Sequence, residues 1–190
     1  MNVLLLIATL SLPAQSLESY LPKNTSEGSL VFILNGSFVV RSYTNMPETH
    51  SMILLKDHGK LIVYECRPPC IHKLEPSQYV YKIKDRETLI LCVPKKPYID
   101  KELASMHKYA EAVLGEKFNI RGYFRDNDVF GQHCTEFTTN VLLSSGRYTL
   151  QSLNVEAAYK MQPGMLRQKL SSTYNMYVIK RGIKCKDDNF

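Results

Sequence analysis

Ser51-Met-Ile-Leu-Leu55 and Lys60-Leu-Ile-Val-Tyr-Glu65 flank the tripeptide Asp57-His58-Gly59. Two apolar runs joined by so short a turn read as a β-hairpin, and a hairpin makes its strands antiparallel. Working outward, Leu30 to Leu34 (LVFIL) is a short apolar run, hence a buried strand. Ser37 to Tyr43 is rich in β-formers after the turn Asn35-Gly36 and reads as a further strand. Tyr79 to Ile83 and Leu89 to Val93 read as two more. From Asp100 the period changes: Leu103, Met106, Ala110, Val113 and Leu114 share one helical face. Asp100 can cap that helix and Gly115 can end it. Asn119 to Gln132 is a polar loop rich in Gly, Arg, Asp and Asn. A second helix begins at or just after Cys134 and runs to Ser144, with Phe137, Val141 and Leu142 inward and Gly146 stopping it. Residues 147–172 hold one or two short helices around Pro163-Gly164, and Tyr174 to Lys180 is a last strand. Strands first, helices after and one late strand describe an α+β domain with a mostly antiparallel sheet packed against helices.

The chain has 190 residues, enough for one domain. Hydrophobic residues make up 44% and charged residues 22%, which excludes a disordered chain. There is no internal repeat, so solenoids and propellers are excluded. The formal net charge of +6 suits an anionic surface such as wall polymer or lipid head groups. It lacks the long basic runs and RNP-type patterns of a nucleic-acid binder, and no nucleic-acid partner is expected.

Residues 3–12 (VLLLIATLSL) form an uncharged apolar run broken by Pro13, with Ala14 and Ser16 as small residues before a cleavage point. That is the layout of a secretory signal peptide, although only the amino terminus supplies its positive end. The run is shorter than the about 20 residues of a membrane span. The expected organisation is a signal peptide over 1–16, a leader over 17–27, one domain over 28–183 and a tail over 184–190, in an exported (periplasmic or secreted) protein.

Five cysteines are present: Cys66, Cys70, Cys92, Cys134 and Cys185. An odd count in an exported chain leaves at least one thiol free. Cys66 and Cys70 flank Arg67-Pro68-Pro69 and could close a small disulfide loop, or, with His72, ligate a metal. Zinc sites usually show two such pairs, and the sequence has no second one, so no metal or other cofactor is expected.

Cys134 stands at the start of a helix, where backbone N–H groups and the helix dipole favour a thiolate and can hold an oxyanion. A thiol nucleophile also needs a base, and imidazole serves at neutral pH. His50 precedes an apolar strand and can sit at the rim of a sheet. His58 lies in a turn, His107 lies inside a helix, and His133 adjoins Cys134. His50 is the best-placed base, but spacing does not separate it cleanly from His72. Glu65 ends the strand paired by hairpin with the one after His50, so it is placed to orient the imidazole. Glu136, one turn into the helix, complements the dipole.

Gly28-Ser-Leu-Val-Phe32, Thr49-His-Ser-Met-Ile-Leu-Leu55, Leu61-Ile-Val-Tyr-Glu65 and His133-Cys-Thr-Glu-Phe137 occur in that order. Together they resemble the circularly permuted branch of the NlpC-type papain-like cysteine hydrolases, the YiiX/YebB-like group. The resemblance covers residues 28–180, with His50 placed 84 positions before Cys134, and Gln162-Pro-Gly-Met-Leu166 matches a downstream Pro-x-x-Leu segment. It implies a permuted papain-like fold with Cys134 as nucleophile, His50 as base and Glu65 as the residue that orients His50. Ser29, Thr49, Met52, Cys66 and His133 depart from the group's usual residues without removing a reacting group. The expected activity is that of an exported amidase or peptidase acting on cell-wall peptides or lipid-linked acyl compounds. The competing expectations are a non-catalytic binding module on the same fold, and a disulfide module in which Cys134 is bridged to Cys92 or Cys185.

Overall fold

The computed structural model describes residues 16–82, 86–119 and 131–181. Residues 1–15 of the expected signal peptide, Ile83, most of the Asn119–Gln132 loop, Cys185 and the 184–190 tail lie outside the described residues. The chain runs α1 (Leu17–Tyr20), β1 (Ser29–Leu34), α2 (Phe38–Thr44), β2 (Glu48–Asp57), β3 (Lys60–Arg67), β4 (Cys70–Leu74), a 3-10 helix (Pro76–Lys82), β5 (Thr88–Pro94), α3 (Asp100–Ala112), α4 (Cys134–Ser144), a 3-10 turn (Ala158–Lys160), α5 (Pro163–Lys169) and β6 (Tyr174–Lys180). The six strands form one sheet in the order β4-β3-β2-β1-β5-β6. Every neighbouring pair is antiparallel, so the fold is α+β as expected.

The β2–β3 hairpin forms where the sequence places it. Asp57 pairs with Lys60, and both central residues have positive φ, 49° at His58 and 82° at Gly59. Such a turn matches the natural twist of the strands it joins. Along β1, Leu30 and Phe32 belong to the cluster that receives α3, α4 and α5, while Val31 and Ile33 belong to the cluster on the other face. That alternation is the period of two of a strand buried on both sides. Phe137, Val141 and Leu142 of α4 are fully buried against the first face. Burial of one such side chain stabilises the fold by about 1.5–3 kcal/mol. The leader is packed as well: Leu17 is fully buried in the second cluster. Among the described residues no helix is long and apolar enough to cross a membrane.

Three local expectations are corrected. Ser37–Tyr43 is not a strand. Ser37 caps α2 by accepting the Val40 N–H, and Asn45 closes the helix in the left-handed region. Capping at both ends outweighs the strand preference of Val39 and Val40. Tyr79 lies in a 3-10 helix, not a strand, with Pro76 at its first position and the Gln78 N–H bonded to the Glu75 carbonyl. Asp100 is the first residue of α3 and not its cap; Glu102 accepts the Ile99 N–H at 2.8 Å. One strand, β4, has no counterpart in the sequence reading.

Candidate active site

Cys134 is the first residue of α4, and the start of that helix is tightly defined. His133 precedes it as N-cap. Its Nδ1 accepts the Glu136 N–H at 3.2 Å, while Glu136 Oε2 accepts the His133 N–H at 3.4 Å. This reciprocal capping satisfies donors of the first turn. His133 Nε2 donates to the Tyr159 carbonyl at 2.8 Å, which fixes the Nε2–H tautomer and leaves Nδ1 as acceptor. Glu136 therefore caps the helix as well as complementing its dipole. Gln132 anchors the segment from the other side. Its carbonyl accepts the Cys66 thiol at 2.9 Å, and its side-chain oxygen accepts from Tyr109 and Asn140 at 3.1 Å each.

The structure brings Cys134, His50 and Glu65 together. His50 Nε2 donates to Glu65 Oε2 at 2.7 Å, and His50 and Cys134 are hydrogen-bonding partners. With Nε2 held by the carboxylate, Nδ1 is the nitrogen left to face the Sγ. Beneath Cys134 lies a set of buried hydroxyls. Thr135 Oγ1 is 3.7 Å from the Sγ, and Ser51 bridges Thr135 and Thr138 at 3.4 and 3.2 Å.

The electrostatics follow from this chain. Burial opposes charge on His50 and is the largest single influence, but the Cys134 thiolate and the Glu65 carboxylate together raise its pKa to about 9. Burial likewise opposes ionisation of Cys134, yet the adjoining His50 charge holds its thiol well below the usual range. His50 is the largest source of that stabilisation, and His133 on the other side of the thiol adds to it. Glu65 is fully buried, and burial would raise its pKa; hydrogen bonds from His50 and His72 hold it far below the usual carboxylate range.

Glu65 gathers more than His50. Tyr79 donates to Oε2 at 3.0 Å, His72 Nε2 donates to Oε1 at 3.0 Å, and the Arg67 Nε lies 3.7 Å away. His72 Nδ1 in turn donates to the Cys70 carbonyl at 3.0 Å. Both ring nitrogens of His72 are therefore engaged by acceptors. His72 and Tyr79 are thus supports of the carboxylate. The sequence reading weighed His72 only as a rival base or a metal ligand. The available signal was register: a turn at Pro68-Pro69 sets Glu65 directly opposite His72.

The remaining candidates separate from the site. His58 is exposed in its turn, and His107 donates to Glu27 at 3.0 Å. Cys66, Cys70, Cys92 and Cys134 form no disulfide with one another, so neither the Cys66–Cys70 bridge nor a Cys134–Cys92 bridge is present, while Cys185 lies outside the described residues. Burial pushes Cys92 up to about 12 and Cys66 higher still.

No family model matches the chain, and no curated protein matches it. Among solved structures, the metalloprotein YiiX of Escherichia coli O157:H7 (DUF1105) superposes with a TM-score of 0.55 over 81% of this chain and 88% of that one, at 14% identity. The fold is YiiX-like. At that identity the YiiX likeness concerns the fold and carries no activity across.

Proposed function

We propose that this protein is a cysteine hydrolase of the circularly permuted, NlpC-type papain-like kind, cleaving an amide bond. The reading is carried by one observation: the chain of contacts from the Cys134 thiol through His50 to the buried Glu65. The leader sequence and the +6 charge support an exported protein working at an anionic wall or lipid surface.

The Cys134 thiolate attacks the carbonyl carbon, forming a C–S bond while the carbonyl electrons move onto oxygen. Backbone N–H groups of the first turn of α4 face that oxyanion. The His50 imidazolium gives its proton to the amine as the C–N bond breaks, leaving an acyl group on Cys134. Water then attacks the thioester and passes its proton to neutral His50. The C–S bond breaks, the acid departs and the thiolate–imidazolium pair is restored. Glu65 keeps the imidazole oriented and stabilises its charged form.

YiiX is a metalloprotein by name, but a metal needs open donors that these side chains would have to supply. They do not fit one. Both His72 nitrogens are engaged, the His50 Nε2 is bonded directly to Glu65, and Cys66 donates to Gln132. Among the described residues no three His, Cys, Asp or Glu side chains are grouped to hold an ion.

The test is the pH dependence of iodoacetamide labelling at Cys134, followed by mass spectrometry. Rapid labelling near pH 6 is expected, because the pair is already ionised there. A rate that rises only around pH 8.5, as for a free thiol, removes the hydrolase reading.

A further inference from the structure

Above Cys134 lies a cavity of about 200 Å³ bounded by His50, Arg67, Glu87 and the apolar side chains of Val40 and Phe118. A whole small-molecule ligand usually fills about 300–1,000 Å³. This cavity therefore takes only the part of a substrate next to the scissile bond. Apart from the His50 imidazolium, which faces the Cys134 thiolate, its cation is Arg67, on β3 just beyond Glu65, with 27% of the side chain exposed. The guanidinium lies over the Tyr79 ring at 5.7 Å. Its Nε is 3.7 Å from Glu65 Oε2, beyond hydrogen-bond range, and that oxygen is already taken by His50 and Tyr79. Among the described residues the two terminal nitrogens of Arg67 have no acceptor. A partly desolvated guanidinium with open donors, beside a nucleophile and apolar walls, matches a carboxylate that both donors can grip.

We propose that Arg67 makes this cavity a subsite for a carboxylate carried by the substrate beside the bond that Cys134 attacks. The subsite rests on the hydrolase reading above and specifies its substrate class: N-acyl compounds or peptides with a free carboxylate next to the scissile amide. Charge count favours a carboxylate over a phosphate ester. The Cys134 thiolate and the His50 imidazolium offset each other, so the guanidinium of Arg67 balances one negative charge on the ligand.

Two alkylating reagents isolate the effect. Iodoacetate and iodoacetamide share a leaving group and a need for thiolate, and differ in carrying a carboxylate or a neutral amide. The ratio of their rates at Cys134 cancels the thiolate fraction and the folded fraction. On the full chain at pH 6.5 and low salt, with glutathione as the free-thiol reference, Cys134 is expected to favour iodoacetate about tenfold more than glutathione does. Arg67→Gln is expected to remove most of that preference. Arg67→Lys, which keeps the charge and loses the fork, is expected to fall between the two. An iodoacetate preference that stays within twofold of wild type in both variants overturns the subsite. That result leaves the hydrolase reading standing, provided both reagents still label wild-type Cys134 quickly. Resistance of the wild type to both reagents below pH 8 removes the hydrolase reading and the subsite with it.

Discussion

Cys66 and Cys134 are two buried thiols close enough to feel each other's charge, set on either side of the Gln132-His133 link, yet they ionise in opposite directions. Burial is the largest single influence at both. At Cys66 nothing opposes it, because the nearby charges are all negative and the thiol donates to the Gln132 carbonyl. At Cys134 the imidazolium of His50, itself fixed by Glu65, reverses the outcome. A helix start and a hydrophobic setting are therefore not what makes a thiolate in this fold; a placed cation is.

The sharpest way to break that comparison is to remove the cation. His50→Ala should return Cys134 to the behaviour of an ordinary buried thiol. At pH 6 its labelling by iodoacetamide should fall about 300-fold or more, since a thiol with even the free value of about 8.5 is only about 0.3% ionised there and burial raises it further. A fall of less than threefold would mean that the helix start, not His50, supports the thiolate.

A smaller effect is expected one contact further out. Glu65 has a folded pKa below its unfolded one, so it adds stability that is present above the unfolded value of about 4.3 and lost as pH falls below it. Glu65→Gln leaves two histidines without their shared anion and should cost about 3 kcal/mol at pH 7. Thermal melts from pH 7 down to pH 3 should show wild type and variant converging. Parallel curves would show that the carboxylate charge contributes no net stability.

The smallest effect on reactivity belongs to the other thiol. Cys66→Ala should leave Cys134 labelling at pH 6 within twofold of wild type. It should still lower the melting temperature by about 2–6 °C, through the lost bond to Gln132 and a small void. A tenfold loss of labelling would instead make Cys66 part of what holds the start of α4 in place.

Most of the fold was legible because its signals are local. The β2–β3 hairpin, β1, β5, β6 and the two long helices all announce themselves by period and by turn residues. Ser37–Tyr43 misled because two β-branched residues outweigh one capping serine in a pattern count, whereas in the folded chain the cap and the left-handed Asn45 decide. β4 escaped because Cys70 and His72 read as chemistry before they read as a strand. The same asymmetry holds in the site. Cys134, His50 and Glu65 each occupy a recognisable position at the end of an element. His72, Tyr79 and Arg67 meet Glu65 through strand register and a 3-10 turn, and neither leaves a mark in spacing.

The order of the site residues along the chain has a consequence for how the molecule is made. His50 and Glu65 are 15 residues apart on one hairpin, while Cys134 lies 84 residues beyond His50. Local contacts close early and distant ones late. On folding, the imidazole and its carboxylate, close along the chain, meet before the distant nucleophile joins them, and the thiol stays inert until the helix that carries it docks. Iodoacetamide labelling at pH 6 is thus also a clock for the final closure of the chain.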